Sequence, residues 1–166
     1  MEPKEFGATA SLHAAPTVTA HFLDLPPEAH VWTKTGEQQV SCLRAGAYIV
    51  SRNAGYAKLR ALQRQSAMVE LVEIAPGSFG SHRPSRPSFF AASQTVLVRN
   101  WRAPLLFGMP QATCALHQLC EGEFIRHIGM RTCPLARLSF DAPTVLYVNG
   151  MELCTAPLID TSPIAA

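Results

Sequence analysis

The sequence predicts a mainly β fold, either a barrel or a β-sandwich, with one or two short helices. The chain contains 13 prolines and 10 glycines, which imply many chain reversals and disfavour a long helical bundle. Several short runs alternate apolar and polar residues, as strands with one buried face do. Two short strand candidates flank Asn149-Gly150, and Asn-Gly favours the type I′ turn of a β-hairpin. Many short strands between turn residues are typical of barrels and sandwiches.

The chain has the size and composition of one folded domain. Its 166 residues are 48% hydrophobic and 16% charged, which is enough apolar material for a core and too little charge for a disordered chain. We expect a flexible arm over residues 1–17 and a single mainly β domain over residues 18–166. Five cysteines without a regular framework favour reduced thiols and a cytoplasmic location. The apolar runs are shorter than a membrane span, and no secretory signal is evident, so no membrane partner is expected.

The first half of the chain predicts six strands. Most are bounded by Pro, Gly or Asn, and Asn53-Ala54-Gly55 supplies residues that tolerate a positive φ at a turn. The predicted strands are Val18–Leu25, Val31–Lys34, Gln39–Leu43, Ala47–Ser51, Tyr56–Leu62 and Met68–Ile74. Residues 57–74 are also rich in strong helix formers, so a single helix ending at Pro76-Gly77 is the alternative for this segment.

The second half begins with a loop. Gly77–Ser88 is predicted to be this loop because it is rich in Gly, Ser and Pro. Strands are predicted at Thr95–Val98 and Pro104–Phe107, a helix or a strand at Thr113–Cys120, and two hairpins, one turning at Gly129 and one at Asn149-Gly150. The second hairpin joins Thr144–Val148 to Met151–Thr155.

Two stretches suggest a known family. VSCLRAGAYIVSRNAGYAKLRAL followed by SAMVELVEIAP, within residues 40–76, resembles the cupin-like sensor domain of AraC-type transcription regulators. LCEGEFIRHIGMRTCPLARLSF, residues 119–140, resembles another part of that family's sheet. The resemblance implies a cupin-like barrel and a non-catalytic regulatory or small-ligand-binding domain. The helix-turn-helix units that follow the sensor in that family have no counterpart here.

The resemblance and the composition together imply a ligand pocket. Tyr48, Val50, Tyr56 and Leu59 are the predicted lining of a barrel mouth that takes a small apolar ligand. A degenerate cupin-type enzyme is an alternative, although we lean against an enzyme. The nearest approach to a cupin metal motif is His30-Val31-Trp32 with Glu37, and Trp32 cannot ligate a metal.

Another alternative is a protein-interaction adaptor or effector. Residues 44–102 carry a net charge of +7 from nine basic and two acidic residues, so this basic segment is a candidate for docking an anionic protein partner. Arg83 and Arg86 lie in the Pro-rich loop and are the predicted partner-binding residues. Without interleaved aromatic residues, direct nucleic-acid binding is not expected. A homodimer is a further alternative that the sequence leaves open.

Cysteine and histidine are concentrated in residues 114–133. Cys114, His117 and Cys120 have spacings that a zinc site can use, but they match no standard zinc motif. We therefore expect no bound metal and no cofactor, and these three residues are the ligands to test if a metal is found. No pattern of catalytic residues is evident, so no catalytic residue is predicted.

Overall fold

The computed structural model of the protein describes residues 17–160. It contains thirteen strands in this range, one short α-helix and two 3-10 helices. The strands are β1 (Thr17–Leu25), β2 (His30–Thr33), β3 (Gly36–Gln39), β4 (Tyr48–Ser51), β5 (Gly55–Lys58), β6 (Ala61–Ile74), β7 (Ser88–Ala91), β8 (Thr95–Val98), β9 (Ala112–Ala115), β10 (Ile125–Phe140), β11 (Val145–Val148), β12 (Met151–Cys154) and β13 (Ala156–Asp160). The helix α1 is Arg102–Phe107, and the 3-10 helices are Val40–Cys42 and Leu116–Leu119.

The strands form two sheets. The first sheet has the order β13-β1-β10-β6-β7, and the second has the order β3-β2-β4-β11-β12-β8-β9 with β5 on the edge of β4. Every pairing is antiparallel, and alternating side chains from both sheets fill one core. The largest fully buried side chains include Phe90, Phe140, Leu23, Ile49 and Leu146. The prediction of a mainly β chain is therefore confirmed, but the strand order is not that of a cupin barrel.

Two long strands, β6 and β10, run beside each other over most of their length. Their buried residues lie at the ends of the pair, and the middle of both strands is largely exposed. The helix alternative for residues 57–74 is therefore wrong. Cross-strand pairing with β10 overrides the helix propensity of this segment.

The hairpin predicted at Gly129 is also wrong, because β10 continues through it. Gly129 has a φ of +100°, and the register with β6 shifts between His127 and Gly129. The glycine therefore sits in a β-bulge, which inserts an extra residue without reversing the chain.

Two further predicted strands are helical. Pro104–Phe107 lies in α1, which ends at Gly108, where φ is +68° and the backbone N–H bonds to the Pro104 carbonyl. A glycine with a positive φ often ends a helix. Gly108 was therefore the residue of the sequence that indicated a helix, and not a strand, before it. Gln39–Leu43 is mostly the 3-10 helix Val40–Cys42, with only Gln39 in β3.

The hairpin at Asn149-Gly150 is confirmed. Asn149 and Gly150 have φ values of +51° and +85° and join β11 to β12. The Asn149 side chain accepts a hydrogen bond from the His30 backbone N–H at 2.8 Å and donates one to Ser88 Oγ at 2.9 Å. This turn therefore also ties the two sheets together. The predicted N-terminal arm, residues 1–17, lies outside the described residues except for Thr17, which begins β1.

Candidate functional site

A cleft of about 100 Å³ lies where β1 and β13 of the first sheet meet β8 and β12 of the second. We call it the β1–β12 cleft. Its lining includes Phe22 and Asp24 from β1, Ser93, Gln94 and Thr95 at the start of β8, and Cys154 and Ala156 from β12 and β13. Phe22 is the cross-strand partner of Ala156, and Thr95 is the partner of Cys154, so antiparallel pairing brings these distant segments together.

An ion pair borders the cleft. Arg137 donates from Nε and Nη2 to the two carboxylate oxygens of Asp24, both at 2.8 Å. The guanidinium also stacks over the Phe22 ring, 4.1 Å from its centroid. The hydrogen bonds that Asp24 accepts raise the pKa of Arg137, so the guanidinium stays charged and the pair is fixed in a bidentate geometry. Both carboxylate oxygens of Asp24 are therefore engaged.

Gln94 supplies the amide of the cleft. Its Nε2 donates to the backbone carbonyls of Thr95 at 2.9 Å and Cys154 at 3.0 Å. The backbone on both sides fixes this residue, because the Gln94 N–H bonds to the Ala91 carbonyl and the Gln94 carbonyl accepts from Leu116. A preorganised N–H donor on a peptide carbonyl is the kind of contact that stabilises negative charge on that oxygen during acyl transfer.

Cys154 supplies the thiol of the cleft. Burial raises the pKa of this thiol, and the nearby charges of Glu152 and Cys114 raise it further. The thiol is therefore protonated near neutral pH, and only a small fraction is the nucleophilic thiolate. In residues 17–160 no imidazole hydrogen-bonds to Cys154, so the described part of the chain gives this thiol no general base.

Most of the accessible surface of the cleft is apolar, and its polar residues are Asp24, Ser93, Gln94, Thr95 and Cys154. A nucleophile beside a polarised carbonyl can begin an acyl transfer, and a thiol is a better nucleophile than an unactivated hydroxyl.

The residues predicted to line a ligand pocket lie elsewhere. Tyr48 and Tyr56 are about half exposed on β4 and β5, with the Lys34 ammonium 5.5 and 5.9 Å from their ring centroids. Leu59 is fully buried in the core, and Val50 is half-buried opposite Tyr56. The four side chains line no common cavity that the structure describes. Their role in ligand binding stays a prediction.

The two arginines of the Pro-rich loop have different surroundings. Arg86 is engaged, because its guanidinium lies 3.0 Å from the imidazole nitrogens of His30 and 3.6 Å from the Glu37 carboxylate. Arg83 is half-buried as a whole residue, and its guanidinium has no hydrogen-bond or ion-pair partner within residues 17–160. Of the two arginines, only Arg83 has no partner among the described residues, as the prediction of a partner-binding residue requires. Binding of a protein partner by Arg83 and Arg86 stays a prediction.

The three candidate metal ligands do not form a site. Cys114 is buried in β9, His117 is exposed on a 3-10 helix, and the half-buried Cys120 thiol faces the Leu116 carbonyl at 3.9 Å. In the part of the chain that the structure describes, no three His, Cys, Asp or Glu side chains are grouped so that they could hold a metal. Nor does any helix in that part have the length and apolar character needed to cross a membrane.

Comparison with protein families decides the classification. A family model described as the Hint domain matches residues 25–156. The chain belongs to the Hint domain family. The two ends of the matched region meet at the β1–β12 cleft, because Ala156 pairs with Phe22, three residues before Leu25. No curated protein matches the chain in sequence.

One solved structure shows the same fold. A variant of the gp41-1 intein is 11% identical and superimposes with a TM-score of 0.52, covering 81% of this chain and 98% of the intein. At this identity the similarity shows the fold alone, and it agrees with the Hint domain assignment. The MchDnaB-1 intein is 13% identical with a TM-score of 0.49, covering 78% of this chain and 98% of that one.

These findings correct the sequence-based interpretation. The resemblance to AraC-type sensor domains is wrong, and so are the cupin barrel and the regulatory or ligand-binding function that it implied. The two alternative functions, a protein-interaction adaptor and a degenerate cupin-type enzyme, agree no better with the Hint domain assignment. The apolar-Gly-apolar order of residues 40–75 belongs to strands β4 to β6 of a Hint domain, since runs of short strands and glycine turns recur on many β folds.

Sequence reasoning missed the residues of the cleft. Asp24, Gln94, Arg137 and Cys154 lie far apart in the chain and form no local motif. Asp24 and Arg137 do share one signal, since each is a charged residue with an apolar residue on either side in the sequence. Such charges need a partner when half-buried, and pairing the two would have placed β1 beside β10.

Proposed function

We propose that this chain is a protein-processing domain that acts on a polypeptide backbone at its own ends, in the manner of splicing or autoprocessing. One observation carries the proposal. The two ends of the Hint region, near residues 25 and 156, lie side by side at one cleft that also holds a thiol and a carbonyl-polarising amide. A domain that cuts or joins chains at its own boundaries needs both boundaries at one site.

The chemistry assigned to the cleft is acyl transfer. The Cys154 thiolate attacks the backbone carbonyl of another residue at the boundary of the domain, not its own carbonyl. A carbon–sulfur bond forms, and the amide carbon–nitrogen bond after that residue breaks as the nitrogen takes a proton. Water or a second nucleophile then releases the acyl group. Because burial raises the pKa of the Cys154 thiol, the rate rises with pH, by about tenfold per unit below that pKa.

The test is a fusion in which the full chain lies between two unrelated folded reporter proteins. Cleavage is followed by gel electrophoresis at several pH values, with and without an added thiol. We expect slow cleavage that accelerates with pH and is abolished by Cys154→Ala. Cys42→Ala is the matched control, because Cys42 is exposed on a 3-10 helix and lines a different part of the surface. Cleavage that Cys154→Ala leaves unchanged would overturn the assignment of the nucleophile.

A second candidate function is a Hint domain that keeps the fold as a scaffold and does not cut. The arrangement of polar groups favours it: Arg137 engages both oxygens of Asp24, and the Gln94 amide donates to two carbonyls. No described imidazole contacts the Cys154 thiol. For this candidate the wild-type fusion stays intact at every pH, with or without thiol.

A further inference from the structure

A second cleft lies at the opposite ends of the strands that form the first one. It has a volume of about 270 Å³ and sits where β8 ends, where β12 begins and where the loop between β6 and β7 folds back. We call it the Arg83 cleft. The residues used below are Ser81, Arg83, Arg99, Asn100, Gly150 and Glu152. Because β8 and β12 run antiparallel, this cleft and the β1–β12 cleft use different ends of the same two strands.

A buried carboxylate fixes one cation of the Arg83 cleft. Glu152 is 5% exposed, and it accepts hydrogen bonds from Arg99 Nε at 2.9 Å and Arg99 Nη2 at 2.6 Å. Arg52 Nη1 donates to the same carboxylate at 3.0 Å. These bonds neutralise Glu152 and hold the guanidinium plane of Arg99, while Arg99 Nη1 makes no bond within the described residues. Two arginines on one carboxylate leave a local excess of one positive charge.

Arg83 adds a second charge that no described residue neutralises. Its side-chain stem lies against the hairpin tip, since a Cβ built on Gly150 would be 3.1 Å from Arg83 Cγ. The guanidinium has no acidic partner among residues 17–160. Its nitrogens keep accessible surface, so an anion that enters the cleft can bind to them.

A neutral donor of the same cleft is also unsatisfied. The Asn100 Nδ2 nitrogen is buried and has no hydrogen-bond partner in the described structure, whereas Asn100 Oδ1 accepts from the Arg102 backbone N–H at 3.1 Å. The amide orientation is therefore set by Arg102, and the nitrogen is left as a donor without an acceptor. Buried polar groups without partners are uncommon. Because this nitrogen has almost no accessible surface, it lies beneath the wall of the cleft and does not face a molecule bound in it.

The loop that carries Arg83 is preorganised. Phe79 N–H bonds to the Arg83 carbonyl at 2.7 Å, Gly77 N–H bonds to the Pro84 carbonyl at 3.0 Å, and the buried Arg102 donates to the Ser78 carbonyl. Ser81 has a φ of +48° and His82 has a φ of +60°, a conformation that side chains other than glycine seldom adopt. Backbone in such conformations is concentrated at ligand-binding sites, where the surrounding structure maintains it.

We propose that the Arg83 cleft binds a small oxyanion, a carboxylate or a phosphate group, between Arg83 and Arg99. Both residues line the cleft and keep N–H donors without a partner in residues 17–160, and the net charge of the arginines and Glu152 is positive, so an oxyanion supplies both acceptors and a counter-charge. The site is separate from the proposed processing site, because none of its residues lines the β1–β12 cleft.

The test is a titration of the uniformly ¹⁵N-labelled full chain followed by two-dimensional NMR. Inorganic phosphate and acetate are titrated separately at constant ionic strength, and sodium chloride serves as the reference. We expect saturable shifts at the amides of Ser81, Arg99, Asn100 and Gly150 that chloride does not produce. Tighter binding of phosphate or of acetate identifies which oxyanion the site prefers, and saturable binding of either supports the proposal.

Variants make the test specific. Arg83→Gln should weaken binding by at least about tenfold, since it removes a charge-assisted contact. Arg131→Gln is the matched control and should bind within about twofold of wild type, because its exposed guanidinium donates only to the Met130 carbonyl on β10. Shifts that chloride reproduces, or equal affinity of Arg83→Gln and wild type, would overturn the proposal. A folded spectrum of Arg83→Gln excludes unfolding as the cause of any loss.

Discussion

The ion pair between Asp24 and Arg137 allows a quantitative test of how the two ends of the domain are held. The side chains of Asp24 and Arg137 are 22% and 25% exposed, and they share two hydrogen bonds of 2.8 Å. A hydrogen bond to a charged group contributes about 1.5–3 kcal/mol, and partial exposure lowers the value toward the bottom of that range. We therefore expect Asp24→Ala to lower the free energy of unfolding by about 2 kcal/mol.

Arg137→Ala should be more damaging than Asp24→Ala. It removes the same ion pair and also the stacking over Phe22, whose ring centroid is 4.1 Å from the guanidinium carbon. A partly exposed cation–π contact adds about 0.5–1 kcal/mol. For a chain of this length each kcal/mol lowers the melting temperature by about 2–4 °C, so the losses are about 4–8 °C for Asp24→Ala and about 5–12 °C for Arg137→Ala.

A double-mutant cycle measured by urea unfolding isolates the pair. We expect a coupling free energy of about 1–2 kcal/mol between Asp24 and Arg137. The control cycle uses Arg60 and Asp141, an ion pair whose side chains are 51% and 65% exposed, and its coupling should stay below about 1 kcal/mol. A coupling for Asp24 and Arg137 no larger than the control, or equal losses for the two single variants, would refute this reasoning.

Three other predictions concern the turn, pH dependence and thiol reactivity. Gly150→Val should destabilise the protein by about 1 kcal/mol or more in urea unfolding, because Gly150 has a φ of +85° and an added Cβ would press on Arg83. An unchanged free energy of unfolding would contradict the described turn. Burial raises the pKa of Glu121, but hydrogen bonds from the Ile125 and Phe124 backbone and the charge of Arg102 outweigh it, so the pKa lies below its usual value. The stabilisation by the Glu121 carboxylate is therefore present at neutral pH and disappears as pH falls through the lowered pKa. Glu121→Gln should lower the free energy of unfolding at pH 7 but hardly at roughly pH 3. An equal loss at both pH values would be inconsistent with stabilisation by the charged carboxylate. In timed alkylation with mass mapping, exposed Cys42 should react before Cys114 and Cys154, because burial raises the pKa of the Cys114 and Cys154 thiols. Labelling of Cys154 before Cys42 would contradict the burial of the Cys154 thiol.

Local sequence signals predicted many of the strands and turns. Alternation located β1, a run rich in β-forming residues located β4, and Asn149-Gly150 located the turn between β11 and β12, because these features depend on neighbouring residues alone. The wrong predictions lie where pairing with a distant strand, or a residue that ends a helix, determines the local structure. Gly129 can end a strand or sit in a bulge, and only the pairing of β10 with β6 selects the bulge.

The site could not be located from the sequence, because it depends on strand pairing. Asp24 and Arg137 are 113 residues apart, and Gln94 and Cys154 are 60 apart, so no local spacing connects them. The family resemblance was misleading for a related reason. It rested on the order of apolar runs and glycines, which strands of different β folds share, and not on residues that a particular site requires.

The most direct test of the processing proposal is the mass of the fragments that the two-reporter fusion yields. Intact-mass measurement with fragmentation in the spectrometer locates each new chain end to the residue. The account predicts that the new ends lie within residues 22–25 or 154–156, and that they do not form in Cys154→Ala. A fusion that stays intact through long incubation at raised pH with added thiol would contradict the proposal, and so would new ends confined to exposed loops.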